Sequence, residues 1–255
     1  MSVEHRLDRL STHALKGLLD HRRVVALVPV GSVEPHGPHL PLATDTLISV
    51  GAAERAAATL TDEDVVALVA PSVPYGVTDY AAGFAGAVSV SAEVLTPFLN
   101  AVVRGYLDNG LAHVCLVNNH LEPAQDAAVR AALEGVADGR GSVACPLTRR
   151  WGRTLSDEYK SGACHAGRYE TSLVLAVAPE TVDRAAAQAL PALDTSLSEG
   201  IRAGKKTFRE LGLDQAYTGA PAEATSTEGD EMLGRLAAMI VTEVREGLAA
   251  TEAPP

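Results

Sequence analysis

The chain has 255 residues, 47 % of them hydrophobic and 21 % charged, an ordinary globular composition that leaves room for a large core and excludes disorder over most of the length. Its formal charge of −11, from 32 acidic against 21 basic residues, repels phosphate backbones and anionic headgroups, so neither nucleic acid nor a membrane surface is an expected partner. Aromatic residues make up only 4 %, so the core must be built from small aliphatic side chains, which suits strands buried between helices better than a β-sandwich.

In chain order, residues 1–23 mix charges throughout and hold no apolar stretch of signal-peptide length. Four Val-rich apolar runs follow, at 24–31, 65–73, 113–118 and 142–147, and read as buried strands. Ala-rich stretches with helical spacing separate them at 45–60, 92–109 and 122–137, and another lies at 229–248. This βαβα alternation predicts an α/β fold, a mainly parallel central sheet of about four strands with helices on both faces. No Pro/Gly/Ser-rich linker divides the chain, so 1–255 is expected to be a single domain, with 1–20 and 249–255 peripheral and the last residues frayed. The polar, irregular stretch 205–228 reads as a loop over a site. Cys115, Cys145 and Cys164 form no CxxC pair, and an odd count argues for a reducing, cytoplasmic location.

Chemistry enters just after the first apolar run, in GSVEPHGPHLPLATD (31–45), where two Gly and several Pro prevent regular structure while Glu34, His36 and Asp45 accumulate. In extended chain, residues two apart face one side, so Glu34 and His36 can address a common point, with Asp45 entering from the start of the following helix. The third run ends in NNHLE (118–122), which mirrors E-x-H as H-x-E with His120 and Glu122. Two neighbouring strand ends of a parallel sheet, each delivering an imidazole and a carboxylate, converge on the edge where open α/β sheets bind ligands. His39 and His113 are read as structural histidines. Three carboxylates among five ligands exceed what one tetrahedral ion needs, which points to two divalent ions, with Asp45 as the candidate bridge. In CHAGRYETS (164–172), His165 and Glu170 are either proton carriers or a helix-start histidine and a capping carboxylate.

VPVGSVEPHGPHLPLATDT (28–46) strongly resembles the signature of the creatininase-type amidohydrolases. Three further stretches fit in order: 75–91, 164–172 and 217–231. The resemblance implies a compact α/β fold with a four-stranded parallel sheet and two divalent metal ions per chain (zinc, manganese or iron). It also implies a homohexamer, Glu34, His36, Asp45, His120 and Glu122 as metal ligands, and His165 and Glu170 in the segment that closes the site. The wording H-A-G-R-x-E-T-S looks more like the peptidases that trim the mycofactocin precursor peptide than like creatininase proper, and the single Trp151 is little for gripping creatinine.

The expected activity is hydrolysis of a carbon–nitrogen bond other than an ordinary peptide bond, in a cyclic amide, a formamide or a short modified peptide. Glu122, His165 and Glu170 are the catalytic candidates. Thr78, Trp151 and Arg168 are the candidate substrate contacts, Arg168 as a bidentate partner for an anionic group, with a plain salt bridge as its alternative. Hydrolysis of a C–C or C–O bond on the same metal platform, or a non-catalytic role, are the alternatives.

Overall fold

The computed structural model describes residues 4–251. Residues 1–3 and 252–255, in the expected peripheral ends, lie outside the described part. Strands β1 (Arg23–Val30), β2 (Val65–Val69), β3 (His113–Asn118) and β4 (Gly141–Ala144) form one parallel sheet in the order β2-β1-β3-β4. Around it run helices α1 (Thr12–Leu19), α2 (Thr44–Leu60), α3 (Ala92–Asp108), α4 (Pro123–Ala131), α5 (Arg149–Gly152), α6 (Asp157–Ser161), α7 (Arg168–Val177), α8 (Arg184–Ala189), α9 (Leu197–Arg202) and α10 (Ser226–Ala250).

Alternate residues of each strand feed opposite layers. Val25, Leu27, Val69, Cys115 and Val117 pack with Ala52, Ala53, Ala56 and Ala57 of α2 and with residues of α7 and α10. Val24, Ala26, Val28, Leu68, Val114 and Leu116 pack against Leu95, Leu99 and Val103 of α3 and Val129 of α4. The small alanines let α2 lie close to the sheet, so the scarcity of aromatic residues is matched by close approach.

The second run stops at Val69, short of Pro71, and the fourth at Ala144, short of Pro146, because proline cannot donate to a ladder. The third helix ends at Ala131 instead of 137, followed by a turn at Gly135 with φ +73°. Helices α1, α5, α6, α7, α8 and α9 are the ones that periodicity left unread. Residues 205–225 run irregularly, with Phe208, Leu213, Ala216, Tyr217 and Thr218 nevertheless buried.

The order β2-β1-β3-β4 means that the chain leaves β1 in one direction and returns as β3 on its other side. The crevice beyond their carboxyl ends is therefore the topological switch point. Val30 pairs with Asn118 in register, so the segments 31–36 and 119–122 emerge side by side.

Candidate metal centre

Gly31 turns the chain off β1 where the first turn of α2 passes. A Cβ there would lie 2.6 Å from the Thr46 amide nitrogen, so only glycine lets that helix bring Asp45 up to the strand end. From there Ser32, Glu34 and His36 follow, and all three are buried, as are Asp45, His120, Glu122, His165 and Glu170.

Asp45 stands in the middle. Its Oδ1 lies 3.2 Å from His36 Nε2 and its Oδ2 3.0 Å from His120 Nδ1. Glu34 Oε2 is 3.1 Å from His120 Nδ1, and Glu170 Oε2 is 3.4 Å from His36 Nε2. Ligand-capable atoms group as Glu34–His120–Glu122, His36–Asp45–Glu170 and Glu34–His36–His165, each within 4.8 Å of one another. The five sequence-derived ligand candidates thus come together, and Glu170 and His165 join them as a sixth and a seventh.

Each imidazole is aimed by a backbone carbonyl, which can only accept. His36 Nδ1 donates to Glu34 O at 3.0 Å, His120 Nε2 to Val77 O at 2.6 Å and His165 Nε2 to Pro35 O at 3.1 Å. The remaining nitrogen of each ring is left for the carboxylates, and the buried His36 Nε2 has no hydrogen-bond partner of its own. This is how metal-ligating histidines are oriented by their surroundings. Ser32, which the motif reading passed over, donates its hydroxyl to Asp45 Oδ2 at 2.7 Å.

The electrostatics fit a site able to hold a cation. Burial opposes protonation of His36, yet Asp45, Glu170 and Glu34 lift its pKa to about 10. Burial likewise opposes protonation of His120, and Glu34 and Asp45 raise it well above the usual range. Burial alone would raise Asp45, but His36 and His120 hold it below the usual carboxylate range. Glu170 is pushed up to about 8 and Glu122 to about 7, in both cases chiefly by burial. Burial and the neighbouring His36 lower His165 to about 4. Four buried carboxylates and two charged imidazoles are costly to desolvate unless closely compensated. A metal ion would take the place of those protons, and the mixed nitrogen and oxygen donors fit one.

Helix α7 starts with Glu170 in its first turn. Its Oε2 accepts the Ala166 amide at 2.6 Å, and Ala166 takes φ +51°, a left-handed conformation that non-glycine residues rarely adopt. Glu170 therefore holds the turn that leads into the helix, as the capping reading has it, and also faces the cluster beside His36. Glu158 secures the same turn by accepting the Tyr169 amide at 2.8 Å and the Ala220 amide at 2.8 Å. Behind it, buried His39 Nε2 and the Thr171 hydroxyl share a hydrogen bond of 2.8 Å. His113 bonds Gly139 O and the Ser142 hydroxyl, away from the cluster. Both are structural, as read.

The cluster opens into a cavity of about 420 Å³, mouth included, lined by its acids and histidines on one side and by Tyr80, Leu121, Leu197, Ile201 and Phe208 on the other. The Phe208 ring stacks on His165, with centroids 4.4 Å apart. Glu122 reaches the cavity from the start of α4, its two oxygens accepting the amides of Asp79 at 3.1 Å and Tyr80 at 3.3 Å.

The three candidate substrate contacts are placed elsewhere in the chain. Thr78 is buried one position before the Asp79 amide, and its own amide donates to Ser89 Oγ. Trp151 donates to Glu243 and carries the Arg150 guanidinium on its face. Arg168, far from reaching the cavity, is paired with Glu223 and Glu228, each at 3.2 Å. Sequence could not show the latter pairing, because both glutamates are more than fifty positions away.

The profile of the Creatininase family, described as creatinine amidohydrolase, matches residues 8–244. A mycofactocin precursor peptide peptidase of Mycobacterium ulcerans is 34 % identical over 226 residues, 82 % of this chain and 80 % of the relative. A creatinine amidohydrolase of Pseudomonas putida is 28 % identical over 181 residues, 62 % of this chain and 66 % of that one. A crystal structure of creatinine amidohydrolase superposes with a TM-score of 0.74 at 20 % identity, covering 100 % of both chains, which is a likeness of fold. With the matched segment running from before β1 to the end region of α10, and with the metal-ligand groups at the switch point, this chain belongs to the creatininase family of metal-dependent amidohydrolases.

Proposed function

We propose that this protein hydrolyses the C–N bond of an amide, adding water to give a carboxylate and an amine, with two divalent ions held by Glu34, His36, Asp45, His120 and Glu122. Glu170 is added to this ligand set because of its place beside His36. Zinc, manganese or iron bound there would acidify a water molecule and polarise the substrate carbonyl.

The chain's own groups divide the remaining work. Asp45, one oxygen toward each imidazole, spans the two halves of the cluster. Glu122 borders the cavity and is fixed by two backbone amides, so it can take a proton from water at the carboxylate oxygen nearest the substrate. The proton that Glu122 takes up can then be returned to the leaving nitrogen, while His165, its Nε2–H held by Pro35 O, keeps Nδ1 free as an acceptor in the cavity wall, 3.9 Å from Glu170. The apolar wall formed by Leu197, Ile201 and Phe208 limits water at the reacting centre.

Among amides, a short peptide or modified peptide stands first, because the segment CHAGRYETS carries the peptidase-like wording and a peptide peptidase is 34 % identical over 82 % of this chain. The exposed apolar side chains of Tyr75, Val94 and Phe98, clustered beside one groove, support self-association, which we take to be a hexamer. Three free, buried cysteines are in keeping with a cytoplasmic location.

The observation that carries this reading is the aiming of three imidazoles by three backbone carbonyls toward shared carboxylates. Elemental analysis of the purified protein, combined with chelation and metal return, tests it. About two metal ions per chain and amide hydrolysis that is lost on chelation and restored by zinc or manganese are expected. Full hydrolysis by metal-free protein would overturn it.

A further inference from the structure

Within an acidic chain, residues 202–209 read RAGKKTFR and hold Arg202, Lys205, Lys206 and Arg209 with no acidic residue among them. This stretch bridges two residues of the cavity wall, Ile201 on one side and Phe208 on the other. It is clamped onto the opposite lip through Tyr80. The Tyr80 hydroxyl donates to Lys205 O at 2.7 Å, and the Phe208 amide donates to Tyr80 O at 2.8 Å. The same Tyr80 lines the cavity and gives its amide to Glu122. The basic stretch therefore forms part of the rim directly outside the reacting groups.

Its charges are turned to solvent. Lys205 and Lys206 are exposed, and neither ammonium has a carboxylate within 4.0 Å among the described residues. Arg202 and Arg209 spend their hydrogen bonds on the backbone carbonyls of Ser198 and Gly83, not on carboxylates. The nearest acid in sequence, Glu210, accepts the Lys206 backbone amide. Over 199–210 there are four cations against two carboxylates, Glu199 and Glu210, in a chain whose net charge is −11. Inside the rim, by contrast, the wall is apolar and the floor carries carboxylates, with no lysine or arginine lining the cavity.

We infer that the substrate is an acidic peptide that places an uncharged, apolar side chain against Leu197, Ile201 and Phe208 while its carboxylates lie along Arg202, Lys205 and Lys206 on the rim. This rests on the amide-hydrolase reading and names its substrate class. A carboxylate a few residues along an extended peptide from the bound amide meets these rim cations, which carry no carboxylate partner among the described residues. A peptide is favoured over nucleic acid, because four rim cations are few against the charge of the whole chain, which repels a polyphosphate.

The test separates docking from hydrolysis. A fluorescein-labelled peptide of repeating Glu-Ala pairs ending in Leu, and its counterpart with Gln for every Glu, are titrated by fluorescence anisotropy. The proteins are wild type, the double variant Lys205→Glu/Lys206→Glu, and the milder Lys205→Gln/Lys206→Gln, which guards against misfolding. Wild type is expected to bind the Glu peptide about fivefold to tenfold more tightly than the Gln peptide, with the advantage lost in both variants and at ~0.5 M salt. Equal affinities for the two peptides, or an advantage unchanged in the variants, would overturn the inference, as would tighter binding of a single-stranded RNA oligomer of similar charge. Hydrolysis of a short neutral peptide amide is followed in parallel and is expected to be the same in all three proteins. If no amide is cleaved while the charge-dependent binding persists, the docking surface stands and the hydrolytic reading falls.

Discussion

Asp45 Oδ2 lies 3.0 Å from His120 Nδ1, while the other oxygen of the same carboxylate faces His36. One short side chain at the start of α2 thereby couples the loop after β1 to the loop after β3. Removing it should affect both halves of the cluster at once. Loss of a group that merely orients a ligand costs about 10–100-fold in metal affinity or activity. Asp45→Ala should therefore exceed about 100-fold in kcat/KM, and elemental analysis should find both metal ions depleted. Retention of full metal content would contradict the bridging role.

Ser32 offers the milder counterpart. Its hydroxyl donates to Asp45 Oδ2 at 2.7 Å without belonging to any ligand group. Ser32→Ala should keep the fold and both metals at saturating concentration, yet lower metal affinity or kcat/KM by about 10-fold or more. Titration of the metal-depleted variant against a competing chelator checks this.

Glu158 supports the site from outside. Its two oxygens accept the amides of Tyr169 and Ala220, holding the start of α7 against the segment after Gly219. Glu158→Ala leaves these donors without their acceptor, at about 1–3 kcal/mol. For a chain of this size the melting temperature should fall by roughly 2–4 °C per kcal/mol. Calorimetry measures the shift, and an unchanged transition would remove Glu158 from the account of α7.

His39 makes the acid side of stability testable. Burial first, and then the charge on His36, lower its pKa from 6.5 to about 4. The unfolded chain takes up this proton near its ordinary pKa, whereas the folded chain does so only near pH 4. Stability is therefore lost as pH falls through that window and is untouched above it. At ~1.4 kcal/mol per unit the loss is on the order of 2–3 kcal/mol. His39→Gln, which retains a donor for Thr171, should flatten the fall in unfolding free energy between neutral pH and pH 4 in denaturant titrations. A slope identical to wild type would refute it.

The sheet and the two ligand-bearing loops were legible because the relevant signals are local. Val-rich runs mark buried strands, and E-x-H and H-x-E sit within a few residues of their ends, where strand periodicity and the switch point together fix direction. Ser32 carried the same signal, two positions before Glu34, and could have been found by extending that period backward. Glu170 was harder to place, since facing His36 depends on how α7 packs beneath the loop after β1. Arg168 stayed open between a substrate contact and a salt bridge for a physical reason. A guanidinium near the site in sequence has a wide reach, and its partners Glu223 and Glu228 come from the approach to α10. Phe208 lies in a stretch that reads as polar loop, and only its stacking on His165 reveals its place in the wall.

The clamp at Tyr80 separates two parts of the molecule by their construction. The ligand groups rest on β1, β3, the helices that follow them and the start of α7, whereas Leu197, Ile201 and Phe208 belong to a strap that runs outside the sheet and is held to the opposite lip by main-chain and hydroxyl bonds at Tyr80. Sequence in that strap can drift, changing which molecules enter, while the chemistry beneath it is left undisturbed. The same platform is thus open to divergence in selectivity by rewriting a dozen surface residues, without the sheet or its metal-binding loops being rebuilt.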